Sequence, residues 1–598
     1  MTIPALSEAA IRGQATAESF RRGQNYYRQG YVVSLVQRGD ALQAEVEGSQ
    51  YQPYRVRVDF DKGGITGASC TCPYDWGGWC KHIVAALLAC LHEPETIERR
   101  PEFKDLLADL SREQLQSLLQ HLTERDPDLA DEIESQVALL QSTPAGSQTP
   151  QEAAPPSRRT TIDPQPIRRA VSAILHSLDR MRASEAYWHV GSVVDEVRQL
   201  LGQLQEFIEA GDGRNAFVIL EAITDEYVAG WFYLDGSDGS TGEFFDELGE
   251  AWLEAALVAD LSIAEREQWA QKLTRWQGEI SDYGVDDVFD AAQSAVLQGW
   301  DYPPLQRVLQ GEITGQGAWE GEAPWCADEL TLARLRVLER EERYQEYLYL
   351  AKAEGQLEQY VTMLARLGRV QEAVDEGLQY LSTPGQILAL AKALREREEL
   401  AAALPVAEHG LTLEGSKGPL ATWLCDLASG IGETELALKA ARVAFRAVPS
   451  LGAYLRVQEL AGERWSEIRE ELLDHLRRVQ SFYSGAQVDI FLHEGLLDDA
   501  IAAVEKWASY DQLERVMDAV VEYRPEWVIQ AARQQAERII EPGKAKHYHH
   551  AVSWLERART AYQAAGREAE WQAYLREIRT RHGRKYKLMG MLEKFERR

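Results

Sequence analysis

The sequence predicts a mainly α protein: a small antiparallel β-sheet plus helix at the N-terminus, followed by a long α-helical solenoid. Three observations carry this. Residues 31–60 alternate apolar and polar side chains in three short runs. From Ile167 onward, amphipathic helical periodicity recurs across short turns with no convincing strand. Between them, "QSTPAGSQTPQEAAPPSRRTTIDPQP" is rich in Pro, Ser, Thr and Gln and poor in large apolar residues, the composition of a mobile spacer. The expected organisation is a compact module over 1–100, a helical extension over 101–141, a flexible linker over 142–166 and an acidic helical body over 167–598.

Each element follows from local pattern. "YVVSLVQ" and "ALQAEVE" flank Arg38-Gly39-Asp40, and "YRVRVDF" follows Gly48 and Pro53. In the third run Tyr54, Val56, Val58 and Phe60 share one face, leaving Arg55 and Arg57 on the other, within reach of Glu45 and Glu47. After "GGITGAS" the period changes. Ile83, Val84, Leu87, Leu88 and Leu91 fall at helical spacing from about Lys81, and the periodicity continues from "PEFKDLLADL" through "IESQVALL". In the body, Gly368 and Ala373, Gly432 and Ala437, and Gly495 and Ala500 repeat one spacing. The glycines are 64 and 63 residues apart, about two helical hairpins per step.

Composition limits the function classes. Apolar residues at 45% and charged residues at 27% describe a folded chain rather than a disordered one. Six cysteines in 598 residues cannot form a disulfide framework, and Cys326 and Cys425 sit in apolar helical patterns, so a reducing cytoplasm is expected. No secretory signal is visible in "MTIPALSEAAIRGQATAESF". The longest apolar run, "IVAALLACL", falls far short of the roughly 20 residues needed to cross a bilayer. Net charge is −31 but uneven: residues 1–92 hold nine Lys or Arg against eight Asp or Glu, and the remainder 55 against 87. Phosphate backbones repel such a body at long range, so contact with nucleic acid needs a local basic surface.

The most specific feature is "CTCPYDWGGWCKHIVAALLAC", with four of the six cysteines in twenty-one positions. Cys70-x-Cys72-x7-Cys80-x-His82 supplies three thiolates and an imidazole, the donor set of a closed tetrahedral zinc site. Such a metal contributes folding free energy to a module too small to stand alone. Cys90-x-His92 repeats the spelling ten residues later, but ten residues of helix span roughly 15 Å. One ion cannot hold both pairs, so Cys90 reads as core and His92 as an exposed helix end. Residues two apart face away from each other on a helix. Cys80 must therefore lie in the turn before the helix and His82 in its first turn, with Gly77-Gly78 allowing the bend.

"CTCPYDWGGWCKH", preceded by "FRRGQNYYRQGYV" and short strands, resembles the SWIM zinc finger, whose signature is CxC, a variable gap and CxH. Cys70, Cys72, Cys80 and His82 map onto its ligands one for one over roughly residues 10–92. SWIM modules occur in bacterial proteins associated with SNF2-type helicases, in transposase-related proteins and in ubiquitin-ligase-type proteins. The resemblance implies one structural zinc, binding of DNA or protein, and no chemistry at the finger itself. Lys81 between two ligands, with Trp76 and Trp79 in the loop, are the residues that would meet a nucleic acid; their alternative role is to cap a small core. In the body, "ATWLCDLASGIGETELALKAARVAFRAVPS" resembles a tetratricopeptide repeat, with Gly432, Ala437, Ala444 and Pro449 at its small-residue and helix-ending positions. That resemblance implies protein binding.

Other features read as structural. Asp235, Asp238 and Glu243 in "LDGSDGSTGEFFDELGE" lack the EF-hand register, so an acidic inter-helix loop is expected. His547 and His550 can share a helix face, but no third ligand is near, and Trp554 and Tyr562 mark that helix as core-forming. From Arg576 onward nine Lys or Arg face three Glu, a basic tract read as a solvated helix face. No phosphate loop, GxSxG elbow or HExxH occurs. The expectation is a non-enzymatic cytoplasmic adaptor. Its finger engages nucleic acid or a partner protein, and its solenoid holds another protein, as an accessory to an SNF2-type helicase or another nucleic-acid machine. Neither membrane nor small-molecule substrate is expected. The competing expectation is a purely protein-binding scaffold in which zinc only holds the fold.

Overall fold

A computed structural model describes residues 6–596 except 51, 75–76, 109, 126–161, 180, 182–185, 203, 235, 237–238, 479–484 and 507–508. Two compact units emerge. One comprises Met1–Phe103, Ser382–Leu388 and Ala407–Arg598; the other comprises Lys104–Leu381 and Ala389–Val406.

The N-terminal module begins with α1 (Glu8–Gly13) and α2 (Ala17–Arg28), whose first turns are capped by Ser7 and Thr16 side chains accepting the backbone N–H of Ala10 and Ser19. Strands β1 (Val32–Arg38), β2 (Ala41–Val46), β3 (Tyr54–Asp61) and β4 (Gly64–Cys70) follow, then α3 (Lys81–His92) and a short β5 (Glu98–Arg100). The sheet order is β4-β3-β2-β1-β5. The first four strands are antiparallel and β5 runs parallel to β1.

The sheet is thus mixed and five-stranded, where sequence periodicity gave three antiparallel runs. β4 was hidden because "GITGASC" has two glycines and no large residue beyond Ile65, and as an edge strand it buries no alternating face. A two-residue turn at Lys62-Gly63 makes it the second arm of a hairpin, with the Gly63 N–H donating to Asp61 Oδ1 at 2.7 Å. β5 is three exposed polar residues and carries no apolar signal at all.

The face of β3 is as the alternation requires, with Tyr54, Val56, Val58 and Phe60 buried. Opposite them, Arg57 pairs with Asp59 of its own strand at 2.7 Å rather than across the sheet to Glu47. α3 is buried from His82 to Cys90 without a polar stripe. The sheet covers one side of it and α1 and α2 cover others, which is what an all-apolar helix demands. α2 comes close because of Gly23, where an added Cβ would lie 2.4 Å from Val84.

In the same unit the module lies against the C-terminal helices. Gln14 Nε2 donates to Asp426 Oδ2 at 2.9 Å, and Ser7 Oγ donates to Glu459 Oε2 at 2.9 Å while accepting from Arg456 at 2.9 Å. Two glycine pairs let the backbones approach: a Cβ at Gly452 would sit 3.2 Å from the Gly13 Cα, and one at Gly430 only 2.1 Å from the Gly63 carbonyl oxygen. The sequence reading set the finger apart behind a linker, because pairs of residues more than about 360 positions apart leave no local signal.

Of the expected linker, residues 142–161 lie outside the described residues. Its last residues belong to a helix, Pro164–Leu175, capped by Asp163 and started by a proline at a position that needs no N–H. The extension holds helices Phe103–Ala108 and Arg112–Arg125. Thereafter the described residues form helices joined by short turns, and no strand follows β5 among them.

The Gly–Ala spacing marks one recurring turn. Gly368, Gly432 and Gly495 take φ of +78°, +85° and +68°, and Ala373, Ala437 and Ala500 are fully buried in the next helix. At each turn the following N–H bonds back to a carbonyl five residues earlier, as in Arg369 to Leu364, Glu433 to Ala428 and Leu496 to Phe491. This is the left-handed helix stop that favours glycine. The helix ending at Ala447 stops just before Pro449. Among the described residues no helix is long and apolar enough to cross a membrane.

Candidate metal centre

Local chain geometry delivers each ligand. β4 ends on Cys70, whose partner across the sheet is Val56, and the Thr71 N–H donates to the Arg55 carbonyl at 3.0 Å, so the strand directs the Cys-x-Cys pair over the sheet's end. From the other side, Gly77 and Gly78 take φ of +85° and +70°, two consecutive left-handed residues that turn the chain back. Gly78 has a second constraint, since a Cβ there would lie 2.7 Å from the Gln14 carbonyl oxygen. That carbonyl accepts the Trp79 N–H at 2.8 Å, fixing the residue before the third ligand. Cys80 is then the N-cap of α3 in extended conformation and His82 is in the first turn, as their spacing requires.

The four donor atoms lie within 4.8 Å of one another, and no other such group of three or more ligands occurs among the described residues. His82 Nδ1 is 3.7 Å from Cys70 Sγ and 3.9 Å from Cys80 Sγ. Ligands about 2.3 Å (S) and 2.0–2.1 Å (N) from one tetrahedral ion stand roughly 3.6 Å apart, so the cluster has the span a zinc ion needs. The His82 ring is held by Tyr54, stacked at 4.4 Å and 27°, and by the edge of Tyr26 at 5.6 Å. Its Nε2 is buried without a hydrogen-bond partner. Nδ1 is therefore the nitrogen available to a metal, and the proton belongs on Nε2.

Cys80 is the most acidic thiol of the set. The hydrogen bond from Cys70, helped by His82, draws it down to about 4, while Cys70, which keeps the shared proton, is pushed up. Burial chiefly raises Cys72. Thiols crowded this way share charge poorly among themselves, and a divalent cation that displaces their protons resolves the conflict. Four protein ligands leave no open position, so the ion is structural. Cys90 is in the α3 core, its thiol raised to about 11 by burial alone. His92 is exposed at the helix end and stacked on Tyr27 at 5.5 Å.

The residues assigned to nucleic acid are placed differently. Lys81 Nζ donates to the Tyr26 hydroxyl at 2.7 Å and lies 4.4 Å from that ring's centroid. Trp79 is half-buried against the module's core, and Trp76 lies outside the described residues. Of the other candidates, Asp235 and Asp238 lie outside the described residues and Glu243 occupies the first turn of the helix Ser240–Val258. His547 and His550 stack at 6.2 Å, and Trp554 and Tyr562, further along the same helix, are buried. In the basic tract, Lys585 caps the helix Pro525–Ile540 through its last carbonyls and Arg581 pairs with Glu541 at 2.8 Å. Sequence reasoning missed Tyr26 and Tyr54, the rings that orient His82. Tyr54 was read only as part of a buried face, and Tyr26 has no spacing relation to the ligands.

Comparison with known proteins converges on the same residues. Residues 54–91 match the family model for the SWIM zinc finger. Zinc finger SWIM domain-containing protein 8 is 26% identical over 328 residues in both Homo sapiens and Mus musculus, covering 44% of this chain and 18% of those proteins. Its homologue in Drosophila melanogaster is 26% identical over 329 residues, covering 45% of this chain and 16% of the relative. The matched part is therefore less than a fifth of the length of these relatives. The strand-borne Cys-x-Cys, the helix-borne Cys-x-His and the family match over both establish that the N-terminal module of this chain is a SWIM zinc finger holding one structural zinc through Cys70, Cys72, Cys80 and His82.

Proposed function

We propose that the protein is a non-enzymatic adaptor: a zinc-stapled SWIM finger and a long array of helical hairpins that together present binding surfaces in a reducing compartment such as the cytoplasm. The carrying observation is the closed ligand set, which leaves the metal no coordination position for chemistry. The hairpins supply extended surface, and stacked helical repeats commonly bind protein.

The placement of Lys81 on Tyr26 and of Arg57 on Asp59 favours the version in which zinc is structural and the partners are proteins. Both cations are already engaged, and a neutral module on a chain of charge −31 offers phosphate little. The other version has the finger engage DNA or RNA, through Lys81, Trp76 and Trp79, as part of a helicase-associated or similar machine; it rests on family resemblance. Fluorescence anisotropy of the zinc-loaded full chain with single-stranded DNA, duplex DNA and RNA separates them. The protein-scaffold version expects no binding at 50 mM salt. Binding that weakens steeply with salt and is lost in Lys81→Ala installs the nucleic-acid version in its place.

A further inference from the structure

Outside the finger, one surface of the second unit has the composition of a binding site. The helix Gly213–Gly230 runs into a short 3-10 turn, Trp231–Tyr233, and the helix Ile263–Ser281 ends just before Tyr283. These two ends bring three large rings to the surface together, with Phe232 43%, Tyr233 68% and Tyr283 60% exposed. Phe232 stacks on Tyr283 at 5.9 Å with planes only 8° apart, and meets Tyr233 at 4.2 Å. Trp231 ties the group to the interior, its ring edge-on to Tyr283 at 5.8 Å and to buried Phe245 at 5.1 Å. The rings are therefore backed by core rather than carried on a free loop. Clustered exposed aromatics on a rigid base are what binding surfaces show and what scattered surface residues do not.

The charge around the rings selects the ligand. Exposed Asp282, Asp286 and Asp287 flank Tyr283 in the chain, and exposed Asp179 hydrogen-bonds His176, whose ring lies 6.3 Å from Tyr233. No Lys or Arg occurs between Arg214 and Arg266, a stretch with twelve Asp or Glu, nor between Arg275 and Arg307, a stretch with six. The nearest cations of the intervening helix are committed elsewhere: Lys272 to Glu221, and Arg275 to Asp225 and Glu279. Electron-rich ring faces set among carboxylates complement guanidinium and ammonium groups, the rings by cation–π contact and the carboxylates by charge.

We infer that the surface formed by Trp231, Phe232, Tyr233 and Tyr283 docks a basic peptide segment of a partner protein, with Arg or Lys side chains laid over the rings. This deepens the reading of the helical body as a protein-binding scaffold and is independent of what the finger binds. The probe is a fluorescein-labelled (Gly-Arg)5 peptide, with (Gly-Glu)5 as its control, titrated with the full zinc-loaded chain at 150 mM salt. Because a chain of charge −31 attracts any polycation, the deciding variant is neutral: Phe232→Ala with Tyr283→Ala leaves net charge unchanged. The expected result is binding of (Gly-Arg)5 only, at least tenfold weaker in the double variant, with circular dichroism unaltered, and weakened again by Asp282→Asn with Asp286→Asn. Equal affinity in wild type and the double variant would reduce the surface to bulk acidity and overturn the inference, as would no binding at all. If the double variant does not fold, Tyr283→Ser alone, at an exposed ring, decides by the same tenfold criterion. Affinity capture of protein partners by wild type and double variant alike, together with failure of the peptide, sinks this surface while leaving the scaffold reading intact; capture by neither sinks both.

Discussion

The SWIM finger and the helical hairpins both have to reverse the chain sharply and hold it there, and they do so by opposite means. At Gly368, Gly432 and Gly495 the turn is closed by backbone hydrogen bonds and locked by an alanine buried in the next helix. Between Cys72 and Cys80 the described residues are mostly exposed or half-buried, and what pulls β4 to α3 is the ligand cluster. A hairpin turn is stable wherever its two helices pack; the finger's turn is stable only while a metal bridges its ends. The difference teaches where each region is vulnerable, and it can be attacked in order of expected effect.

Removing a ligand is the largest blow. Structural zinc contributes about 10–16 kcal/mol in small finger modules, more than so small a core offers by itself. Cys80→Ser should take bound zinc from one per chain to none and expose the amides of residues 54–92 to hydrogen exchange, while far-ultraviolet circular dichroism keeps most of its helical signal. Retained zinc, or collapse of the helices along with the finger, would break the contrast.

Next is the seam where the finger meets the C-terminal helices. A Cβ at Gly430 would be 2.1 Å from the Gly63 carbonyl oxygen, so Gly430→Val forces the backbones apart at about 1–3 kcal/mol. The ligands are untouched. Zinc stoichiometry should therefore stay at one while residues 7–14 lose protection in peptide-resolved hydrogen exchange. A parallel loss of metal would mean that the seam, and not only the ion, holds the site together; Gln14, which bonds Trp79 with its carbonyl and Asp426 with its side chain, is the residue through which that would act.

Acid should separate the two regions. In the finger, protons compete with the metal for the thiolates, so zinc is released as the solution becomes mildly acidic. In the helical region the sensitive group is Glu265, which closes a capping box with Ser262 and pairs with Arg214. The Arg214 hydrogen bond, then the Ser262 backbone and side chain, hold its carboxyl down to about 2. A depressed carboxyl gives stability that is complete above its ordinary value near 4.5 and is lost as pH falls toward 2. Ser262→Ala should cost about 1 kcal/mol at pH 7. That difference should shrink between pH 4 and pH 2, read by urea unfolding of variant and wild type in parallel. A variant cost that persists at pH 2 would remove Glu265 from the account.

What the sequence disclosed follows the same division. The ligand set was legible because donor chemistry and two one-residue gaps admit few solutions, and the fold of Val56, Val58 and Phe60 because alternation is a local signal. The Gly–Ala repeat was legible because a left-handed stop leaves glycine in the sequence. β4 stayed hidden since small residues on an edge strand bury no face, and β5 because three polar residues carry no pattern. The pairs Gly13 with Gly452 and Gly63 with Gly430 were beyond reach, for a glycine spelled in one helix does not say which backbone comes near it. Tyr26 lay equally far from view, being defined only by the ring and the ammonium group it touches.

The smallest effect tests the hairpin turns themselves. At Glu342 the same stop recurs with the wrong residue: φ is +57°, the Arg343 N–H bonds the Leu338 carbonyl at 2.8 Å, and a glutamate sits where Gly368, Gly432 and Gly495 stand at their turns. A side chain in that conformation costs about 1–2 kcal/mol. Glycine would recover this but adds unfolded-state freedom worth about 0.4–1 kcal/mol. Glu342→Gly should therefore stabilise the chain by roughly 0.5–1 kcal/mol, and Gly432→Ala should destabilise it by a similar amount, both measured as shifts in the urea midpoint. Opposite signs at two positions with one geometry would show that the left-handed backbone conformation sets the preference for glycine at this position of the turn. Neither variant should change zinc content, because the metal serves a reversal of the chain that no glycine could hold without it.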